Sequence, residues 1–293
     1  MATTATVVSD TPSVTENTAM PSFCLTWHAV THRGLVRRQN EDSLCALASS
    51  ENDGPRRYLF AVADGVGGHR AGFIASKIAL EVVRREYREW QGGSADHLMT
   101  RAVRRANEEV FSAAYVRSEF SGMQTTMTAA VLEQDSIVVG HVGDCRLYRL
   151  RNGQIDLLTR DHTQAARLLQ AHAVSSDEAK QRPERHRLTR SLGAQPFVRV
   201  DVLKEEFDKD DAYLLCSDGL WSKLPDEEIR LALQEGEPES ACKELLALAL
   251  KDGGTDNVSA VVFRVANTGK LPTCRPPSRF LSKMHSLTHI GLW

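Results

Sequence analysis

The sequence predicts an α+β fold in which helices cover antiparallel β-sheets. Two observations lead to this class: short apolar runs follow one another closely, and two long amphipathic segments stand next to each other. Strands that are joined by tight turns pair antiparallel, whereas a parallel sheet needs a long crossover, usually a helix, between successive strands. The grouped runs therefore favour antiparallel sheets over an alternating parallel fold.

Short runs rich in Val, Leu and Ile predict the strands of these sheets. The predicted strands are residues 58–63, 126–132, 136–142, 145–150, 212–217 and 258–265. Asn152-Gly153 directly follows one of these runs, and this dipeptide is typical of a two-residue hairpin turn. We therefore expect the chain to reverse direction at that point.

Apolar residues recur at helical spacing in residues 71–90 and again in residues 96–117. Gly92 and Gly93 separate the two segments and indicate a turn between them. Two further helices are predicted later in the chain. They cover residues 225–235 and 239–251.

Composition and charge exclude several classes of protein. Of 293 residues, 42% are hydrophobic and 25% are charged, which is ordinary for a soluble globular protein. The formal net charge of -2 argues against a general nucleic-acid binder. No stretch approaches the roughly 20 apolar residues of a membrane span, and the chain has no secretory signal at its start. The six cysteines form no CxxC pair, so we expect reduced thiols in a cytoplasmic protein.

Both ends of the chain differ from its middle. Residues 1–22 are polar and lack periodicity, which predicts a flexible tail. Residues 266–293 contain four Lys or Arg residues and no acid, which predicts either a disordered basic tail or a docking segment. The folded domain is therefore expected over residues 23–265.

Four aspartates stand at the ends of predicted strands, next to glycines. They are Asp64, Asp144, Asp218 and Asp256. A carboxylate at the edge of an apolar strand is costly unless it is solvated, paired or bound to a metal ion. Mg²⁺ and Mn²⁺ prefer oxygen ligands, so a shared divalent ion would resolve the repulsion between these acids. Each Asp-Gly alone is typical of a turn, however, so the four residues leave both interpretations open.

Six segments then resemble motifs of the PP2C-type (PPM) protein phosphatases, in the order found in that family. Residues 37–42 resemble Arg-x-x-Asn-Glu-Asp, residues 64–69 resemble Asp-Gly-Met-Gly-Gly-His, and residues 122–126 resemble Gly-Met-Gly-Thr-Thr. The remaining three segments are residues 141–146, 216–220 and 253–259. Val66 and Gln124 depart from the pattern. The resemblance covers residues 24–265, and the Gly-Gly-His form is similar to the bacterial branch of the family.

The resemblance implies a four-layer α-β-β-α sandwich with two or three Mn²⁺ or Mg²⁺ ions at one edge. In the family pattern, Asp64 would bridge two ions and the carbonyl of Gly65 would bind one of them. Asp218 and Asp256 would bind the other ion. Glu41 would act through a water molecule, and Asp42 would orient its neighbours. Asp144 would bind a third, weaker ion, with help from Asp218.

The implied activity is hydrolysis of phosphoserine and phosphothreonine on proteins, through in-line attack by a hydroxide that bridges the two ions. Arg37 would hold the phosphoryl oxygens, because a guanidinium can bind two of them at once. His69 would either protonate the leaving oxygen or only order its loop. The expected partners are phosphoprotein substrates and a counterpart serine/threonine kinase, with no nucleic acid and no stable membrane span. We expect a monomer.

Three alternatives share this chemistry in part. A partner-switching phosphatase of one regulatory phosphoprotein usually lacks the arginine at the position of Arg37, which is present here. A pseudophosphatase that only binds phosphoproteins would lack a metal aspartate, yet Asp64, Asp218 and Asp256 are all present. A metal phosphoesterase acting on nucleotides or sugars stays open. The basic stretch over residues 160–196 predicts either a solvated loop or a surface that faces the phosphopeptide.

Overall fold

A computed structural model describes residues 23–49, 57–66, 70–116, 118–175, 178–179, 182 and 184–267. In this part of the chain, two five-stranded antiparallel sheets stack face to face, and helices cover both outer faces. The four-layer sandwich predicted above is therefore confirmed. The tail at residues 1–22, the predicted acid His69 and residues 268–293 lie outside the described residues.

Twelve strands are described. They are β1 (Phe23–His32), β2 (Ser43–Ala48), β3 (Arg57–Ala63), β4 (Gly65–Val66), β5 (Gln124–Thr125), β6 (Met127–Glu133), β7 (Ser136–Val142), β8 (Arg146–Arg151), β9 (Gln154–Leu157), β10 (Asp201–Glu206), β11 (Ala212–Cys216) and β12 (Val258–Asn267). One sheet has the order β1-β12-β11-β8-β9, and the other has the order β10-β7-β6-β3-β2. The short strands β4 and β5 form a separate pair.

The described helices are α1 (Arg70–Arg88), α2 (Ala95–Val116), α3 (Gln164–Gln170), α4 (Asp218–Trp221), α5 (Asp226–Glu235) and α6 (Pro238–Lys251). The four predicted helices are confirmed, each to within two residues at either end. In the described part of the chain, no helix combines the length and the apolarity that crossing a membrane requires.

The core has three layers because the central strands are buried on both faces. Tyr58, Phe60 and Val62 of β3 point between the two sheets, where the ring of Phe60 stacks on Phe263 of β12 at 4.4 Å between centroids. The alternate residues of β3 pack under α1 and α2. The other sheet buries its outer face under α5 and α6. The three core regions lie between the four layers of helices and sheets, and burial of their apolar surface drives folding.

The antiparallel pairing brings the ends of several strands to one edge of the sandwich. β3 and β7 both pair with β6, so they run in the same direction and end at the same edge. In the other sheet, Cys216 at the end of β11 pairs with Ala260 near the start of β12. His32 at the end of β1 pairs with Val258. The loops that follow β1, β3, β7 and β11 therefore meet near the start of β12.

Two smaller expectations are also met. Asn152 and Gly153 have φ values of 51° and 76°, as a hairpin turn with two left-handed residues requires, and they join β8 to β9. The cysteines whose side chains are described are buried and free. They are Cys45, Cys145, Cys216 and Cys242.

Candidate metal centre

The aspartates that were singled out in the sequence converge at this edge. Asp64 follows β3, Asp144 follows β7, Asp218 is the first residue of α4, and Asp256 lies two residues before β12. Desolvation raises the pKa of Asp64 well above its ordinary value, and the charges of Asp42 and Asp218 raise it further. The pKa values of Asp144 and Asp218 are raised in the same way, by desolvation first and by neighbouring carboxylates second. The acids are thus close enough to repel one another.

The position of Asp64 is fixed through its backbone. Its carbonyl accepts hydrogen bonds from the amide of Thr126 at 2.9 Å and from the hydroxyl of Thr125 at 2.7 Å. These bonds join the end of β3 to the β4–β5 pair. Thr125 and Thr126 therefore hold the end of β3 in place.

Gly65 lies where two backbone segments approach closely. A Cβ atom at this position would stand 2.2 Å from the carbonyl oxygen of Gly72 and 2.8 Å from that of Glu41. Real Cβ contacts are essentially never so short, so the site requires glycine at residue 65. The requirement places the Gly65 backbone beside the residues of the Glu41–Asp42 loop.

Asp42 is buried at 5% exposure, and its two carboxylate oxygens differ. Oδ2 accepts a hydrogen bond from the hydroxyl of Ser217 at 2.8 Å. Oδ1 has no hydrogen-bond partner among the described residues. Desolvation raises the pKa of Asp42 to about 7, although the hydroxyls of Ser259 and Ser217 oppose the shift. A buried carboxylate oxygen without a donor is costly, and a nearby cation would remove that cost.

Asn257 organises the loop that carries Glu41. Its side-chain amide donates to the carbonyls of Arg33 at 2.8 Å and Gln39 at 3.0 Å, and its side-chain oxygen accepts from the amide of Glu41 at 2.8 Å. Its own backbone amide donates to Oδ1 of Asp256 at 2.8 Å. The three contacts to the loop could not be read from the sequence.

Arg37, the predicted phosphate-binding residue, forms an ion pair with one of the edge aspartates. Its Nη2 donates to Oδ2 of Asp256 at 2.6 Å, and its side chain is 51% exposed. The hydrogen bond to Asp256 raises the pKa of Arg37, so the guanidinium stays charged. A charged, half-exposed guanidinium at the mouth of the centre is able to bind an anion there.

The donor set fits hard divalent cations. Among the described residues, no Lys or Arg lies within 4.0 Å of the carboxylates of Asp42, Asp64, Asp144 or Asp218. The clustered donors are oxygen atoms, which Mg²⁺ and Mn²⁺ prefer, and the orphaned oxygen of Asp42 lies among them. The cluster is therefore able to bind divalent metal ions, which would balance the carboxylate charges that no described Lys or Arg balances.

One residue near these acids was missed at the level of sequence. A ligand atom of His186 lies within 4.8 Å of ligand atoms of both Asp144 and Asp218. Desolvation lowers the pKa of His186, which favours the neutral imidazole. In the sequence, His186 stands between two arginines of a basic stretch, and no motif marks it.

A cleft of about 700 Å³ opens beside His186. Trp221 of α4 lines it, and the guanidinium of Arg146 lies 3.5 Å from the centroid of the Trp221 ring. The indole nitrogen of Trp221 donates to the carbonyl of Asp144 at 2.9 Å, so the cleft and the acid cluster share a wall. Arg185 and Lys223 add positive charge to its lining.

Comparison with known sequences agrees with these features. A family model described as Protein phosphatase 2C matches residues 28–258. The serine/threonine protein phosphatase PstP of Mycobacterium tuberculosis is 35% identical over 249 residues, which are 85% of this chain and 46% of that protein. The chain thus spans about half the length of this relative. The serine/threonine phosphatase stp of Listeria monocytogenes is 32% identical over 237 residues, or 79% of this chain and 92% of that protein.

Solved structures show the same architecture. The crystal structure of M. tuberculosis PstP/Ppp has a TM-score of 0.76 at 34% identity and covers 83% of this chain and 100% of its own. The catalytic domain of PstP in complex with two manganese ions has a TM-score of 0.74 at 33% identity and covers 84% of this chain and 100% of its own. From the matched residues 28–258, the shared sandwich and these relatives, we conclude that the chain belongs to the protein phosphatase 2C family.

Proposed function

We propose that this protein is a metal-dependent phosphatase that hydrolyses phosphoserine and phosphothreonine on other proteins. The observation that carries the proposal is the cluster of desolvated aspartates that no described Lys or Arg neutralises, except for Asp256. Relatives named serine/threonine phosphatases and a related structure with two manganese ions support it.

The residues that would hold the ions are those at the sheet edge. Asp64, Asp218 and Asp256 would bind through carboxylates, and Gly65 would bind through its carbonyl. Asp144 would add a third position. When bound, two such ions supply a water of lowered pKa and neutralise charge on the phosphoryl oxygens.

The loop after β1 carries Glu41 and Asp42, which would support the bound metal ions. Glu41 would reach the ions through water, and Asp42 would accept hydrogen bonds that fix neighbouring ligands. The contacts of Asn257 hold this loop against β12, so both acids start from a fixed position. Such preorganisation keeps the cost of binding the ions low.

Arg37 would bind the phosphate of the substrate. Its bond to Asp256 keeps the guanidinium beside the acids, and its exposure leaves a face open to solvent. If an ion takes Oδ2 of Asp256, the guanidinium is free to donate two hydrogen bonds to phosphoryl oxygens. Substrate phosphate would then be held between Arg37 and the ions.

His69 remains our candidate for protonating the leaving seryl or threonyl oxygen. Histidine is the side chain that most often serves as a general acid near neutral pH. The alternative is that His69 only orders the loop after Gly65. A His69→Gln variant should lose turnover of a phosphothreonine peptide more than turnover of an aryl phosphate, whose leaving oxygen needs no proton. Equal losses would favour the ordering role.

The basic segment beside the cleft is proposed to face the substrate protein. Arg185 lines the cleft, and Arg187 is exposed next to His186. Replacing both by Ala should raise KM for a phosphoprotein while leaving an aryl phosphate almost unaffected. Equal loss on both substrates would remove this assignment.

The remaining expectations concern the setting of the enzyme. We propose that it acts as a cytoplasmic monomer on substrates of a serine/threonine kinase. The predicted domain boundary at residue 265 falls two residues short, because β12 extends to Asn267 and pairs there with Phe23 of β1. The catalytic domain would therefore comprise residues 23–267, with residues 1–22 and 268–293 as tails. Light scattering of the full chain with and without Mn²⁺ tests the monomer.

One experiment tests the function against its alternatives. Initial rates on a phosphothreonine peptide, a nucleoside monophosphate and a sugar phosphate would be measured with and without Mn²⁺. We expect Mn²⁺-dependent hydrolysis of the peptide above all. Preference for the small phosphates would indicate a phosphoesterase, and binding of the peptide without turnover would indicate a pseudophosphatase. A partner-switching enzyme would reject generic phosphopeptides.

A further inference from the structure

One residue from outside the strand loops, His186, lies next to the acid cluster. His186 belongs to the connection between β9 and β10, yet its ligand atom lies within 4.8 Å of those of Asp144 and Asp218. Two ligands on opposite sides of one ion, each bound at about 2.1 Å, lie about 4.2 Å apart. A small side-chain rotation therefore suffices to place one ion against all three residues.

The backbone around His186 is held in place. The amide of Arg187 donates to the carbonyl of Glu184 at 2.9 Å, which closes a turn around His186. The carbonyl of Arg187 accepts from the amide of Gln164 at the start of α3, at 2.8 Å. Leu188 then pairs with Thr163. The segment that carries His186 is thus tied to a helix rather than left free in solvent.

The imidazole itself has one unused nitrogen. Nδ1 of His186 is buried and has no hydrogen-bond partner among the described residues. Nε2 lies 2.9 Å from Nε of Arg185, which donates to it. A neutral imidazole carries one proton, so a nitrogen that binds an ion must be the one without it. Binding through either nitrogen would therefore release the hydrogen bond from Arg185.

We propose that His186 supplies a nitrogen ligand to a divalent ion that Asp144 and Asp218 also bind, and that this site selects Mn²⁺ over Mg²⁺. The proposal rests on the proposed function for the two oxygen-only positions, and it adds a ligand from outside the strand loops. Imidazole nitrogen binds transition-metal ions well, whereas Mg²⁺ prefers oxygen ligands. The chain would thus carry two kinds of metal position side by side.

The selectivity suggests a direct spectroscopic test. The full chain would be loaded with excess Mg²⁺, and less than one equivalent of Mn²⁺ would then be added. Under these conditions Mg²⁺ fills the oxygen-only positions, and the scarce Mn²⁺ collects where a nitrogen ligand favours it. Pulsed electron paramagnetic resonance should then show ¹⁴N coupling to isolated Mn²⁺.

Three variants assign that nitrogen. His186→Ala should lose the ¹⁴N coupling and weaken the third Mn²⁺ in calorimetric titrations by at least about tenfold. His172→Asn is the matched control, since His172 is exposed in the same connection and has a φ of 51° that Asn tolerates. It should keep both signals, and so should His69→Ala.

Replacing Arg185 should change the affinity for the third Mn²⁺ in the direction opposite to His186→Ala. Because its Nε–H competes for the imidazole and adds positive charge, Arg185→Ala should strengthen the third Mn²⁺ rather than weaken it. Mg²⁺ affinity should change little in His186→Ala.

The outcomes separate this inference from the proposed function. If the parent protein binds two ions and hydrolyses phosphothreonine but shows no ¹⁴N coupling, the assignment of His186 is wrong and the function stands. The same conclusion follows if His186→Ala keeps the coupling. If the parent protein binds neither Mn²⁺ nor Mg²⁺, the proposed function itself fails.

Discussion

Two groups of buried acids in this molecule differ in whether arginine side chains pair with them. Glu86 of α1 is 2% exposed, and the guanidinium groups of Arg101 and Arg105 contact it at 2.7 and 2.6 Å. Asp211, the residue before β11, is 1% exposed. Arg151 donates to both of its carboxylate oxygens, and the hydroxyl of Tyr213 donates to one of them. These carboxylates are neutralised by the chain itself.

The acids at the sheet edge have no such partners. In the described ranges, neither Lys nor Arg pairs with Asp42, Asp64, Asp144 or Asp218, and Arg37 reaches only Asp256. Burial of charge without a partner costs free energy that a stable fold cannot accumulate freely. The comparison teaches that a buried acid with its own arginine is structural, whereas a desolvated cluster without one anticipates a cation from solution.

The largest expected effect comes from removing a carboxylate of the unpaired group. Asp64→Asn keeps the shape of the side chain but removes its charge, so the ions should bind weakly. We expect turnover of a phosphothreonine peptide to fall on the order of 1000-fold, since each ion contributes several kcal/mol to the transition state. Circular dichroism should show a folded protein. Parental turnover in this variant would mean that the edge acids are not metal ligands.

A smaller loss is expected at Arg37, the only arginine in the described part that bonds to the edge aspartates. Arg37→Ala should lower kcat/KM about 10- to 100-fold, which corresponds to lost hydrogen bonds to a charged phosphate. Arg37→Lys should recover only part of the loss, because an ammonium cannot bind two oxygens in one plane. If Mn²⁺ affinity changed while kcat/KM at saturating Mn²⁺ did not, Arg37 would be a partner of Asp256 alone.

The unpaired acids should also make stability depend on pH. Burial raises the pKa of Asp42 from its ordinary value of 3.8 to about 7, and it raises the pKa of Asp64 as well. Between these values the folded state binds more protons than the unfolded state, so the free energy of unfolding falls as pH rises. The Tm of chelated protein should therefore be lower at about pH 8 than at about pH 5.

Added Mn²⁺ should reverse that trend, because the ions replace the protons that leave the carboxylates. The gain in Tm from Mn²⁺ should be larger at the higher pH. A Tm of chelated protein that rises steadily over this pH range would contradict the assignment of raised pKa values to the edge acids.

The smallest effect on activity is expected from the paired group. Glu86→Gln removes the charge that Arg101 and Arg105 share, but both arginines are half-exposed and regain water. The free energy of unfolding should fall by about 1–2 kcal/mol in urea titrations, with turnover unchanged. A loss of activity comparable to that of Asp64→Asn would erase the distinction between the two groups.

Much of the fold could be predicted because its strongest patterns are local. The helices α1 and α2 show apolar spacing over many turns, and β3 is apolar on both faces. By contrast, β10 has the sequence Asp-Val-Leu-Lys-Glu-Glu and lies at a sheet edge, so its polar residues conceal it. β1 was missed for a similar reason, since Thr26 and His28 interrupt its apolar residues.

The candidate site was predictable where chemistry and strand ends coincide. Asp64 and Asp218 follow apolar runs directly, so their residue type and position both mark them. His186 has neither mark, because the tertiary path of a long connection brings it to Asp144. The hydrogen bonds of Asn257 to a loop some 220 residues away belong to the same class. Such contacts join residues that are distant in sequence, so they follow from the tertiary fold and cannot be read from the local sequence.

The most direct test of the central claim is a titration of Mn²⁺ into the chelated full chain, with turnover of a phosphothreonine peptide as the readout. We predict no turnover in the chelated protein and a rise that requires at least two bound ions per chain. Undiminished turnover in the presence of excess chelator, in a protein that is still folded, would contradict the claim that the unpaired acids gather to hold divalent ions.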